Sequence, residues 1–482
     1  LAGIEYLHDL NARNVSFPRR YIAVFGVGLA VYFWLTILIS PTAVSLGIIS
    51  CVILFLLIKN DLTALLLYIA VNALSMVATR SGGYGVFYAL SGGITSLIIL
   101  TFSLKLRSKA GGLLINKSLT FYILYFLWGT GLGILGLLFW ENSLLGAALE
   151  ASVCLPFIVV PVVMYHFIEL RSQHEKVLFG SVILLWIILL TLNLLKIRNN
   201  IAAAFYLYET GRATFDIFIH SLLFFIFISV GFCIVNNKKL SFLLMCGIAL
   251  CVAGIVVSFY RTIYLADMMM IPVLFLLTRK EEKRDALKFL ALLSSAIIVV
   301  LAIMFIVSPL FSLLVRNYLG RLLTSSQVTT DPSLVNRYVE WRGVLKRIGG
   351  SPIIGFGFGG SYLLYGWIVG FSTVVNYTHN GYLYIILKTG VVGFILLVIS
   401  YGGIILLGIR LSRDEHLLPI YRAFARGGTA FLISLLIINN TINVLTQRDG
   451  MLWSGVVFGY FLICEKYLAR QRRKEMGEYE HL

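Results

Sequence analysis

His379-Asn380 closes a long polar segment, an apolar helix begins directly after it, and Gly390-Val-Val-Gly393 follows nine residues on. An imidazole titrates near neutrality, which suits a general base that removes a proton from a hydroxyl group. A lone histidine is more often structural, so its neighbours decide the reading. Arg261 lies in Ser258-Phe-Tyr-Arg261-Thr262, on a very short turn between two apolar runs, and Arg337 lies in Asn336-Arg337-Tyr-Val-Glu-Trp341. A guanidinium fork matches diphosphate oxygens two at a time and holds charge as a leaving group departs. The plainer reading of each arginine is snorkelling or a contact with a lipid phosphate.

The elements that must position these groups are membrane helices. Hydrophobic residues make up 59% of the 482, charged residues 13%, and the mean hydropathy is +0.92. Apolar runs of about 18–25 residues recur, each long enough for a hydrocarbon core of about 30 Å. They do not alternate with period two, so they are helices rather than barrel strands. The chain reads as an all-α polytopic membrane protein with about fourteen spans, twelve to fourteen being compatible with the pattern. Residues 1–20 form a cytoplasmic N-terminus, 21–309 hold spans one to eleven, 381–468 hold the last three, and 469–482 form a basic cytoplasmic tail. The run 21–40 is too long for a removed signal peptide and lacks its cleavage pattern, so it reads as the first span.

Charge sets the orientation. Clusters such as Arg279-Lys280 and Arg470…Arg472-Arg473-Lys474 fall on one side, whereas the short loops of the other side hold only Arg80, Lys196, Arg198, Arg212, Arg261 and Arg448. The positive-inside rule makes the first side cytoplasmic. Topology thus accounts for most of the net charge of +17, and no nucleic acid is required. All six cysteines lie inside apolar runs without metal spacing, which reads as core packing.

The outside segment 310–380 departs from the charge rule. It carries Arg316, Arg321, Arg337, Arg342, Lys346 and Arg347 against only Asp331 and Glu340, either as a tolerated excess or as a cationic surface for an anionic headgroup. Asp331-Pro332 predicts an N-cap with proline at the first helical position. Leu334, Tyr338, Trp341, Leu345 and Ile348 then recur with amphipathic helical spacing over 332–348, with Arg337, Glu340 and Arg347 opposite. The apolar stripe is expected on the span tops or in the lipid interface. Gly355, Gly357, Gly359 and Gly360 read as a flexible turn. No Lys-Ser/Thr follows them, so they are not a nucleotide loop.

Other polar residues carry two readings each. Lys388, Asp267 and Glu150 lie within spans, where ionisable groups are costly and often functional. Lys388, nine residues below His379, either faces a lipid-phosphate groove or pairs with a carboxylate or carbonyl in the bundle. Asn380 either orients the re-entering helix or touches substrate. Asn439, Asn440 and Asn443 bind polar groups of a substrate or join helices, and Gly390 and Gly393 permit close helix packing. His220 competes with His379 as an outer histidine, while Arg80 and Arg212 are weaker candidates for substrate binding.

His379-Asn380-x9-Gly390-x2-Gly393 resembles the His-[Asn/Ser/Gln]-x9-Gly-x2-Gly pattern of the O-antigen ligase and Wzy polymerase superfamily. Arg337-x3-Trp341 with Ser351-Pro352-Ile-Ile-Gly355-Phe-Gly357 resembles the stretch that precedes that histidine in the same family. Arg261-Thr262 is a looser match, because Ser258 stands three residues before the arginine rather than beside it. The motifs cover about 260–393, and the first 240 residues match only as generic spans.

The resemblance implies a membrane glycosyltransferase of the C-type fold in the bacterial inner membrane. It would take glycan from an undecaprenyl-diphosphate-linked oligosaccharide at the periplasmic face, without cofactor or metal. His379 would be the base, with Arg261 and Arg337 on the diphosphate. A polymerase that joins repeat units, with a chain-length-regulating co-polymerase as a possible partner, is the first expectation. A ligase that moves the glycan to lipid A-core or another acceptor is the second. A lipid-linked oligosaccharide flippase is a third, and it predicts charges along a path through the midplane.

Overall fold

The computed structural model describes residues 15–17, 65–66, 68–70, 72–73, 113–206, 217–257, 260–307, 332–365 and 372–475. Strands β1 (Val15–Phe17) and β2 (Leu113–Ile115) pair antiparallel. The helices that follow are α1 (Lys117–Phe139), α2 (Leu144–Phe167), α3 (Gln173–Tyr206), α4 (Ile217–Ile234), α5 (Lys238–Val257), α6 (Arg261–Leu277) and α7 (Lys283–Val307). Then come α8 (Pro332–Ile348), the hairpin β3 (Tyr362–Tyr365) and β4 (Ser372–Val375), α9 (Gly381–Arg413), α10 (Pro419–Ile438) and α11 (Arg448–Glu475).

Among the described residues, eight helices are long and apolar enough to cross a membrane, or nine if one bent pair counts as a single span. Fourteen spans are therefore not what the described residues show, and the four expected over 21–104 lie almost wholly outside them. The bent pair joins Thr262–Leu277 to Lys280–Val299 at 117°, where two separate spans were expected. α6 has 17 residues, about 25 Å at 1.5 Å per residue, which falls short of a hydrocarbon core of about 30 Å.

Local chemistry explains the helix starts. The Asn116 side chain accepts from Ser118 N ahead of α1, and Ser143 accepts from Gly146 N ahead of α2, each satisfying a donor that the first turn leaves open. The bundle packs α2 against α11, α1 against α9, and α10 against α4. Two prolines, Pro156 and Pro161, sit inside α2, and Gly455 and Gly459 of α11 let the backbones close onto that surface. Phe157 of α2 stacks between Tyr401 and Phe458 in the core.

Several buried polar groups inside the bundle pair with one another, which offsets the cost of a low-dielectric interior. Ser221 and Ser434 both donate to Asp267, stapling α4 and α10 to α6. His220 is fully buried and accepts from Trp186 Nε1 at 2.8 Å, with Gly254 against its ring. It is a packing histidine. Asn439 and Asn443 are likewise buried: Asn439 accepts from Gly381 N and Leu445 N, joining α9 to the end of α10.

Candidate active site at the head of a broken helix

α9 is two helical pieces. Gly390 adopts φ 62°, ψ −171°, which interrupts the helix within its first third. The interruption is filled by the segment Ser351–Gly360. Phe356 N donates to Leu387 O at 3.0 Å and Gly357 N to Lys388 O at 2.7 Å, while Val391 N and Val392 N donate to Pro352 O and Ile353 O. Trp128 Nε1 of α1 takes up Thr389 O at 3.0 Å. Loop and side-chain groups thus replace the i→i−4 partners that the helix gives up. The glycines expected to make a flexible turn instead make a fixed wedge: Gly355, Gly357 and Gly359 all have positive φ. At Gly357 a Cβ would run into the Leu132–Gly133 backbone. Gly129 and Gly133 of α1 offer the small-residue face that admits Phe358, whose N–H donates to Gly129 O, and Gly136 makes room for Asn142 and Phe356 O.

Lys388 pins this wedge. It is fully buried, and its Nζ lies 2.6 Å from Glu150 Oε1 and 2.5 Å from Gly360 O. Glu150 Oε2 also accepts from Gly359 N at 2.8 Å. Of the two readings of Lys388, this geometry supports pairing within the bundle, because its ammonium already meets Glu150 and Gly360. Removing one member of a buried pair costs about 3–5 kcal/mol, whereas replacing both with neutral groups costs far less. Lys388→Met is therefore expected to lower thermal stability in detergent by that amount, and Lys388→Met with Glu150→Gln to recover most of it. A single variant with wild-type stability but a raised donor KM would restore the substrate reading.

The short upper piece of α9 carries the imidazole. Asn380 is its N-cap, the side-chain oxygen accepting from Tyr382 N and Leu383 N, so Asn380 serves the helix rather than a ligand. Immediately before it, His379 meets α8. Glu340 Oε2 lies 2.7 Å from His379 Nδ1, and Glu340 Oε1 accepts from His379 N at 2.5 Å. Glu340 is 7% exposed, whereas the His379 side chain is 46% exposed. No described residue bonds His379 Nε2, so that nitrogen is the ring's open edge. Burial pushes the Glu340 carboxyl up, but hydrogen bonds from His379 and Thr378 outweigh this and hold it below the usual carboxylate range. The ionised carboxylate can only accept, so the proton belongs on Nδ1 and Nε2 is the basic nitrogen.

Glu340 on that inner face reverses part of the expected amphipathic pattern. Glu340, Val344 and Ile348 are buried, while Tyr338 and Leu345 of the expected apolar stripe are each 55% exposed. α8 packs on β3, and Tyr362 donates to Tyr377 O at 2.9 Å. Arg347 stacks 4.0 Å over Phe356, a packing role. Arg337 is half-buried, one turn before Glu340.

Tyr377 walls the other side. Its ring meets His379 edge-on at 5.3 Å, and its hydroxyl accepts from Gln447 Nε2 at 3.3 Å. Burial, with Tyr260 nearby, pushes the Tyr377 phenol up to about 12, so it stays neutral and leaves the imidazole as the base. Thr441 Oγ1 donates to Thr262 Oγ1 at 2.8 Å, which brings the start of α6 to this end of the bundle. Arg261 opens that helix, but its side chain lies outside the described residues, as do Arg80 and Arg212 entirely. Among the described residues, no three His, Cys, Asp or Glu side chains converge as a metal site.

Glu340, Tyr377 and Gln447 are the site residues that sequence reasoning did not single out. One signal for Glu340 was present: it and Asp331, which the sequence reads as a cap, are the two acids of segment 310–380. Residues 224–398 of the chain match the Wzy_C family, described as O-Antigen ligase, a stretch that runs from α4 past the break in α9. It takes in Arg261, Arg337, Glu340 and His379. No curated protein matches the chain.

Proposed function

Taking residues 224–398 as a domain of the O-antigen ligase (Wzy_C) family, we propose that the protein is a surface-polysaccharide polymerase of the bacterial inner membrane. Its donor is an undecaprenyl-diphosphate-linked glycan, its acceptor the sugar hydroxyl of a second lipid-linked unit, and its site faces the periplasm. The observation that carries this reading is His379 at the head of a span, with Nδ1 held by Glu340 and Nε2 open.

In the proposed reaction His379 Nε2 takes the acceptor O–H proton, and that oxygen attacks the anomeric carbon from the face opposite the diphosphate. The bond from the anomeric carbon to the phosphate oxygen breaks with inversion, and the electron pair leaves on undecaprenyl diphosphate. Arg337 and Arg261 are assigned to the diphosphate, where fixed positive charge offsets the charge that grows as the bond breaks. Cationic side chains in this role make a divalent ion unnecessary. The family's own description favours a second reading, ligation to a different acceptor.

The test is purified protein with a lipid-linked repeat unit in the presence of EDTA. A ladder of longer lipid-linked products is expected, and it is expected to vanish in Arg337→Ala. Conversion only when a second acceptor is added would turn the reading to a ligase. Absence of transfer in either arrangement, across several donor structures, would refute it.

A further inference from the structure

Resting on the glycosyl-transfer reading, we propose that Glu340 is the positioning residue of the site: it holds His379 in the Nδ1–H tautomer, aims Nε2 outward and balances the imidazolium formed during transfer.

One carboxylate grips the histidine at two points. Oε2 takes the ring Nδ1 at 2.7 Å and Oε1 takes the backbone N–H of the same residue at 2.5 Å. A single ring contact would leave the imidazole free to swing about its side-chain bonds. The second contact fixes the carboxylate relative to the His379 backbone, so the ring orientation is set with it. The remaining acceptor capacity of Glu340 goes to Thr378, whose side chain is fully buried. Glu340 is itself anchored by α8, with Val344 and Ile348 buried on the same face one and two turns on.

A carboxylate is an expensive way to satisfy buried donors, because leaving water costs a charged group far more than a neutral one. A glutamine could accept at only one of the two points, because its other terminal atom is an NH2 donor that would face an N–H. What only the carboxylate supplies is an acceptor at both points together with negative charge at Nδ1, and the benefit of that charge is realised when Nε2 acquires a proton. The free imidazole favours the proton on Nε2, the tautomer in which the open edge could not act as a base. Among the described residues, Glu340 bonds the ring, Tyr377 on the histidine's own segment meets it edge-on, Tyr260 lies beside Tyr377, and Arg337 stands one turn before Glu340 on α8. Glu340 is the anion that bonds the imidazole.

Activity needs a bare Nε2, so Glu340→Gln should lower kcat by about 10²-fold, with donor KM unchanged.

The decisive measurement needs no donor. The protein in lipid nanodiscs, labelled with 15N-histidine, would be recorded at neutral pH as wild type, Glu340→Gln, Glu340→Ala and Glu340→Asp. His379→Ala identifies the signal. The wild type is expected to show Nδ1 protonated and Nε2 bare. Glu340→Asp should stay near the wild type, Glu340→Gln, which accepts at only one of the two points, should mix the two tautomers, and Glu340→Ala should revert to the Nε2-protonated form. An unchanged tautomer in the Gln and Ala variants, or a loss of thermal stability alone, would overturn the proposal. Because this arm reads the ring directly, failure of the pairing is distinguishable from failure of the transferase reading, which the product ladder reports.

Discussion

His379→Ala is expected to abolish glycan transfer while leaving the protein in the membrane at its normal level. A positioned base contributes about 10²–10⁴-fold to a proton-transfer step, which is enough to remove a product ladder from view. The fold should not follow it down. The imidazole is 46% exposed, so its removal opens no interior cavity. Glu340 loses the Nδ1 contact but keeps His379 N and Thr378, a cost of about 1–2 kcal/mol. The check is product formation in the purified system beside the amount of protein extracted from membranes. Near-normal glycan would take the imidazole out of the reaction, and loss of the protein itself would make His379 a structural residue.

Gly390→Ala is expected to damage the protein in the opposite way, through the fold. At φ 62°, ψ −171° the residue occupies a region open essentially only to glycine, and a Cβ would also press on the Ile353 carbonyl. Strain and overpacking against backbone together cost roughly 2–5 kcal/mol, a large share of the ~5–15 kcal/mol that holds a typical domain. Thermal unfolding in detergent should show the loss, and transfer should fall with it. Gly393→Ala meets only the Thr389 side chain and should be milder. Equal stability of Gly390→Ala and the wild type would mean that the wedge does not depend on this backbone conformation.

The helical membrane class was legible because long apolar runs have few other outcomes. So was the start of α8, where Asp331-Pro332 stands ahead of Pro332–Ile348. Asn380 as a cap and the Lys388–Glu150 pair were each one of two readings; the cap hydrogen bonds of Asn380 support the first and the burial of Lys388 beside Glu150 supports the second. What pattern reasoning mistook has a common cause. Periodicity says which residues share a helix face, yet it cannot say whether a buried partner waits there. Glu340 therefore read as solvent-facing until His379 was seen against it. Gly390 likewise read as a small residue in a continuous span, because a helix break filled by another segment leaves no interruption in hydropathy. Hydropathy also overestimated α6, where length rather than polarity falls short.

The wedge has a consequence for any attempt to recombine such chains. Pro352 and Ile353 accept hydrogen bonds that Val391 and Val392 would otherwise give within their own helix. Residues 351–360 and 387–393 are therefore two halves of one joint, though more than twenty-five residues separate them. A graft that transplants α9 with its histidine but keeps a foreign loop would insert half a joint. A portable piece of this protein would have to carry the loop and the upper helix together with the faces of α1 and α2 that hold them, around Gly129 and Glu150.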